Sequence, residues 1–275
     1  MGRGASGRDA CRELTALYGS LPPGELTALC LRAVREMQRE RGLSRRTIND
    51  RQARLRRLLR WAADQGWLPA DMAEKCRIDG LRYGQARETP PRDAVPLDHV
   101  ARTLRDRRLN PVVGAMVKVQ LLMGCRPGEV CAIRGEFIDT STDPWAIELP
   151  EHKMRRLDRR RVLFAGPRAQ LILGGYMRDG LLFTVPDLYR RRRKSASDGR
   201  WTPDSYRQAI WQACDRMKVP RWSPQQLRRR AATDAAIRAD MQAAQELLGH
   251  ADLRTTEIYI TRGGEHARKY AADHG

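Results

Sequence analysis

Apolar residues recur at helical spacing along most of the chain. In GELTALCLRAVREMQRERG, residues Leu26, Leu29, Cys30, Ala33 and Met37 share one side, which predicts an amphipathic helix with a charged outer face. In LSRRTINDRQARLRRLLRWAADQGWLP, Ser44 is placed to cap a helix whose buried stripe is Ile48, Leu55, Leu58, Leu59 and Ala62, and Gly66 is placed to stop it. The segment from Gly84 to Pro96 is polar, holds three prolines and breaks the periodicity, so it reads as an inter-domain linker. This divides the chain into a helical domain over 1–88, a linker over 89–96 and a second domain over 97–275.

Beyond the linker, VPLDHVARTLRDRRL, PVVGAMVKVQLLMG, PDSYRQAIWQACDRMK, SPQQLRRRAATDAAIRAD and MQAAQELLG return to helical spacing. WAIELP and RRVLF read as short strands on either side of the basic turn EHKMRRLDR. The expected fold is mainly α with a small β-sheet in the second domain, and no long internal repeat is visible. In the helix that starts near Pro224, the predicted buried stripe is Leu227, Ala231 and Ala235, with Arg228 at its edge.

Charge changes the picture. The 275 residues carry 52 Lys and Arg against 33 Asp and Glu, a formal net charge of +19. Such a chain seeks a polyanion, and its dominance by arginine, whose planar fork grips two phosphate oxygens at once, favours nucleic acid over a membrane surface. Arg45, Arg46, Arg56, Arg57 and Arg60 lie largely off the apolar stripe of their helix and are the first candidates for phosphate contact; the bland alternative is a solvated helix face. The run YRRRRKSASDGR, Tyr189 to Arg200, reads as a loop whose arginines touch DNA without choosing sequence. No stretch approaches the roughly 18 apolar residues of a membrane span, and MGRGASGRDACREL lacks the apolar core of a signal peptide, so a cytoplasmic protein is expected. The six cysteines are scattered without a C-x-x-C pair, which argues for reduced, mostly buried thiols and against zinc or disulfides.

Five further residues are singled out by position. Arg126 leaves the junction between an apolar helix and a Pro-Gly-Glu helix start in LLMGCRPGEVCAI, and Lys153 sits in the basic turn. Arg228 borders a buried stripe, while His250 and Tyr259 lie in ELLGHADLRTTEIYI, where one helix ends and another starts. Each alone reads as surface charge or as an ordinary helix residue. Their order along the chain is what carries information.

With these motifs in hand, the chain resembles the tyrosine recombinases, the phage integrase family. GCRPGEV is similar to the family's first arginine motif, HKMRRLDRRRVLF to its lysine hairpin, QQLRRRAAT to its second arginine motif and LLGHADLRTTEIYI to its terminal motif. The resemblance runs from about Asp98 to Ile260; more weakly, the N-terminal part is similar to a helical core-binding domain. It implies a site-specific recombinase in which Tyr259 attacks the scissile phosphorus of double-stranded DNA, leaving a 3′-phosphotyrosyl link and a free 5′-hydroxyl. By the same resemblance Arg126 and Arg228 clamp the phosphoryl oxygens, Lys153 protonates the leaving 5′-oxygen, His250 hydrogen-bonds the phosphate and Glu129 braces Arg126. It further implies a homo-multimer, a tetramer, on DNA and no cofactor, neither ATP nor metal.

Two positions depart from the family pattern. Gln225 stands where a histidine is usual, and glutamine offers a hydrogen bond but takes up no proton near neutral pH. Arg229 replaces another frequent histidine. The alternative reading is therefore a DNA-binding relative with impaired chemistry that acts by occupying its site, and a relaxing enzyme of the type IB topoisomerase kind comes third.

Overall fold

A computed structural model describes residues 3–90, 92–150, 161–185 and 199–249. The chain forms two compact units, Met1–Pro91 and Arg92–Gly275.

The first unit is helical. Helix α1 (Arg3–Tyr18) packs against α2 (Ala28–Glu40) and α3 (Arg45–Asp64), and the short α4 (Met72–Lys75) closes on α3. Ser44 caps α3 by accepting the Thr47 N–H at 3.3 Å, and Gly66 follows its end in the left-handed conformation at φ 72°. The buried faces differ from the expected stripes. In α2 the inward residues are Leu31, Val34 and Gln38, while Leu29 is 70% exposed. The helix starts at Ala28, so Leu26, although buried, does not set its phase. In α3 the inward set is Ile48, Gln52, Leu55 and Leu59, and Leu58 turns outward.

Polar residues interrupt both stripes because this core holds a buried carboxylate. Glu13 of α1 accepts from Arg41 at 2.6 Å, Arg51 at 3.0 Å and Gln38 at 3.2 Å, which ties all three helices together. Its burial also hides α1 from a hydrophobic pattern, since a charge occupies a core-facing position. Replacing Glu13 with Ala strips the partly buried Arg51 of its counter-charge, and a loss of about 3–5 kcal/mol is expected. Denaturant unfolding of the full chain should show the helical unit melting earlier, and Glu13→Gln, which keeps the shape but not the charge, should lose most of the same stability; a glutamine variant as stable as the parent would refute the ionic account.

In the second unit α6 (Pro111–Met123) is apolar nearly all round and buried at the centre. It packs against α8 (Pro167–Gly174) and α10 (Pro224–Arg238); α11 (Met241–Leu248) lies along α10, and α5 (Leu97–Leu104) contacts α9 (Pro203–Arg216). A three-stranded antiparallel sheet, β1 (Ile138–Asp139), β2 (Trp145–Leu149) and β3 (Arg161–Ala165), is ordered β1-β2-β3, with Ile147 opposite Leu163. Ile147 and Leu149 turn to the core, as do Arg161, Leu163 and Ala165. Strand β1 and helix α8 were not anticipated. Two residues make too short a strand to pattern, and PRAQLILG is barely longer than two turns.

Residues 92–96, expected as linker, pack onto the second unit. Val95 is fully buried and its N–H points to the Gln226 carbonyl, while Gln226 Nε2 donates to the Asp93 carbonyl at 3.1 Å. One apolar side chain outweighs the polar composition around it. All six cysteines are free thiols; burial pushes Cys125 and Cys131 up to about 12, so both are inert. Among the described residues no helix is long and apolar enough to cross a membrane, and no group of His, Cys, Asp or Glu could hold a metal ion.

Candidate active site

The site grows from the end of α6. Gly124 takes the left-handed conformation at φ 60° and returns its N–H to the Gln120 carbonyl at 2.9 Å, terminating the helix. A Cβ there would also sit 3.0 Å from Leu247, so glycine is favoured twice over. Cys125 then turns inward, and Arg126 precedes α7 (Pro127–Val130), whose proline is preset for a helix start. The junction points the Arg126 side chain outward from a rigid base.

Buried Gln120 fixes that base. Its Nε2 donates to the Cys125 carbonyl at 3.0 Å and to the Pro224 carbonyl at 3.1 Å, and its Oε1 accepts from the Tyr206 hydroxyl at 3.1 Å. The residues following those two carbonyls are Arg126 and Gln225. One amide thus brings together residues a hundred positions apart in the chain.

Glu129 holds the Arg126 side chain. Its Oε2 accepts the Arg126 backbone N–H and its Oε1 accepts Arg126 Nη1, both at 2.6 Å. Burial alone would push this carboxyl up, but Arg161 and the Arg126 contacts outweigh it and hold the group below its ordinary value. Arg161, inward on β3, places Nε 3.7 Å from the same Oε1 and donates from Nη2 to the Leu247 carbonyl at 3.0 Å.

Arg228 is not at the edge of a stripe as its spacing implied. It is 1% exposed, sharing the interior with Leu227, Ala231, Ala232 and Ala236, whereas Ala235 is only partly buried. Nη1 donates to the Gly124 carbonyl and Nη2 to the Leu248 carbonyl, each at 2.6 Å. Helix α10 is packed on several sides at once, so no single stripe describes it. Charge-assisted bonds to two helix-end carbonyls are what let a guanidinium sit there.

A cleft of about 800 Å³ opens at this junction. Arg126, Glu129 and the exposed Gln225 line it, together with Arg134, Arg200 and Arg207. With Arg92, five guanidiniums line this one concavity, which suits a polyphosphate backbone. The structure therefore brings Arg126, Glu129 and Gln225 together and sets Arg228 directly behind them. Lys153, His250 and Tyr259 lie outside the described residues, as does most of the run from Tyr189.

In the first unit, Arg56, Arg57 and Arg60 line a separate groove of about 360 Å³ with Gln52 and Ala53, and Arg46 is exposed. Arg45 instead donates from Nε to Glu88 at 2.6 Å. Gln120, Tyr206 and Arg161 were missed from sequence. For Arg161 a signal existed: alternation from Leu163 puts residue 161 on the inner face of its strand.

The family model described as the phage integrase family matches residues 102–266. The tyrosine recombinase XerC of Mycobacterium sp. (strain KMS) is 26% identical over 251 residues, covering 86% of this chain and 78% of the relative. XerD of Caulobacter vibrioides is 28% identical over 239 residues, covering 82% and 74%. Among solved structures, the Tn1549 transposon integrase in complex with circular intermediate DNA superposes with a TM-score of 0.70 at 14% identity, covering 98% of this chain and 94% of that one. A lambda integrase dimer bound to a COC′ core site gives 0.68 at 13% identity, covering 93% and 88%. The mainly helical fold with its small sheet is that of the tyrosine recombinases, and the chain belongs to the phage integrase family. Its class of activity is site-specific DNA recombination.

Proposed function

We propose that this chain cuts and rejoins duplex DNA through a covalent 3′-phosphotyrosyl link, with Tyr259 as nucleophile. The observation that carries this reading is the cleft wall, where Arg126 projects from a junction pinned by Gln120 and Arg228. Charge growing on the nonbridging oxygens of a phosphoryl transition state is stabilised by guanidinium donors held at such a wall.

In the proposed step the Tyr259 oxygen bonds to phosphorus as the bond to the 5′-oxygen breaks. Lys153 gives a proton to that leaving oxygen, and the phenolic proton passes to solvent, since Gln225 has no basic atom to take it. His250 hydrogen-bonds the phosphate. Attack by a 5′-hydroxyl on the phosphotyrosine reverses these transfers and reseals the strand, so the bond energy is retained and no cofactor is needed. Arg126, Glu129 and Gln225 act at the cleft, and Arg228, bonded to the Gly124 and Leu248 carbonyls, holds its back wall.

Residues 1–88 serve as the core-binding domain, gripping the backbone with Arg46, Arg56, Arg57 and Arg60. Arg45 contributes through its pairing with Glu88. Residues 97–275 serve as the catalytic domain, behind a connection at 89–96. DNA-bound relatives, one of them a dimer on its core site, support duplex DNA as substrate, and a tetramer on two duplexes completes a reciprocal exchange. The chain works where that DNA is, in the cytoplasm.

The test starts from a duplex recovered from a randomised library by binding to the full chain. Nicking that duplex near candidate scissile positions lets the short cut fragment escape and traps any covalent complex. An adduct that survives denaturation and maps to Tyr259 is expected. Gln225 favours a second reading, a DNA-binding relative that acts by occupancy, and tight binding without an adduct at any nick position would select it.

A further inference from the structure

We infer that Arg161 is a positioning residue that frees Arg126 from Glu129 so that Arg126 can engage a DNA phosphate. This rests on the reading of Arg126 as a phosphate clamp. The geometry behind it is a shared oxygen. Glu129 Oε1 accepts Arg126 Nη1 at 2.6 Å, and Arg161 Nε faces the same atom from 3.7 Å, beyond hydrogen-bond reach.

The Glu129 side chain is buried, so a carboxylate abandoned by its partner is heavily penalised. Arg126 can turn to a phosphate only if another donor takes its place. Arg161 Nε is buried and has no hydrogen-bond partner among the described residues, and closing the gap takes a shift of under about 1 Å. The charge count points the same way: one carboxylate faces two guanidiniums, so the cluster carries a surplus positive charge that an arriving phosphate neutralises.

Arg161 is itself held at its far end. Nη2 is bonded to the Leu247 carbonyl at the end of α11, and a side chain on Gly249 would collide with the guanidinium. Arg161 therefore connects the segment leading into His250 and Tyr259 with the side chain of Arg126. In this arrangement Glu129 is a brake as well as a brace, and Arg161 releases it.

The experiment measures adduct formation in single turnover on the nicked library-selected duplex, alongside duplex affinity. Arg161→Met should slow cleavage about 100-fold, the usual scale for losing one transition-state donor, and weaken duplex affinity by no more than about tenfold, the worth of one phosphate contact across a decade of salt. Adding Glu129→Gln removes the charge that retains Arg126, and should restore cleavage at least about tenfold over the single variant. A merely structural loss would be deepened by the second substitution, not rescued. Arg161→Lys keeps the charge and carries the test should Arg161→Met lose its melting transition; it is expected to be slowed and rescued in the same sense. Wild-type cleavage by Arg161→Met, or a double variant no faster than the single one, overturns the inference. Arg126→Ala cleaving at the wild-type rate overturns the clamp reading instead, whatever Arg161 does. Binding gives a readout independent of chemistry. In a Tyr259→Phe background, Arg161→Met should reduce the slope of log affinity against log salt by about 0.9, one phosphate, and Glu129→Gln should restore it. An unchanged slope counts against the inference.

Discussion

Tyr259→Phe is expected to bind its duplex as tightly as the parent chain and to form no covalent adduct. Only the phenolic oxygen is removed, so packing and charge are unaltered while the atom that attacks phosphorus is gone. The effect should be complete, because no neighbouring group substitutes for a nucleophile that is itself part of the product. The chain has seven tyrosines, and several are excluded on physical grounds. Tyr206 is fully buried, donates its hydroxyl to Gln120, and has its ionisation pushed well above the ordinary value by burial. Tyr83 is exposed but belongs to the first unit, and Tyr176 faces the Pro111 carbonyl. Tyr270 is the rival, eleven residues beyond Tyr259 by number. Mass mapping of an adduct to Tyr270, or an undiminished adduct in Tyr259→Phe, would reassign the nucleophile.

What the sequence made legible depended on how local the cause was. Helix α3 was readable at both ends, because Ser44 and Gly66 act within one turn of the residues they cap. The β2 and β3 strands were readable from a short alternating pattern, and the outward direction of Arg126 followed from a glycine and a proline on either side of it. The burial of Arg228 was not readable. It depends on carbonyls of Gly124 and Leu248, which only the packing of α6 and α11 on α10 delivers. Glu13 and Gln120 were invisible for the same reason. A polar side chain at a core position looks like an error in the apolar pattern until its distant partners are known. Order along the chain supplied what periodicity lacked: the motifs around Arg126, Lys153, Arg228, His250 and Tyr259 pointed to the family that the comparison then established, although three of these residues lie outside the described structure.

By the resemblance, Gln225 is one of two positions that depart from the family pattern, and Gln225→His should speed cleavage by about 10²–10⁴-fold, the usual worth of a general base, with affinity nearly unchanged. Position favours the gain. Residue 225 lies in the first turn of α10, is exposed, and lines the same cleft as Arg126. A helix N-terminus and a nearby guanidinium both disfavour a second positive charge, so the introduced imidazole stays neutral near neutral pH and is free to accept the phenolic proton. The rate of the variant should therefore rise with pH along a limb centred at or below about 6.5, a feature the parent lacks if solvent takes the proton. The measurement is single-turnover adduct formation between pH 5 and 8, an interval chosen to bracket the ordinary imidazole value of about 6.5. A parent that already cleaves quickly and is slowed by the substitution would mean that the site is built around the glutamine amide, with water carrying the proton and the amide orienting the phosphate. If neither protein forms an adduct on a duplex that both bind, the missing base is not the only defect. The occupancy reading then takes precedence, and Arg229, which stands beside Arg228 where another histidine is frequent, becomes the next residue to exchange.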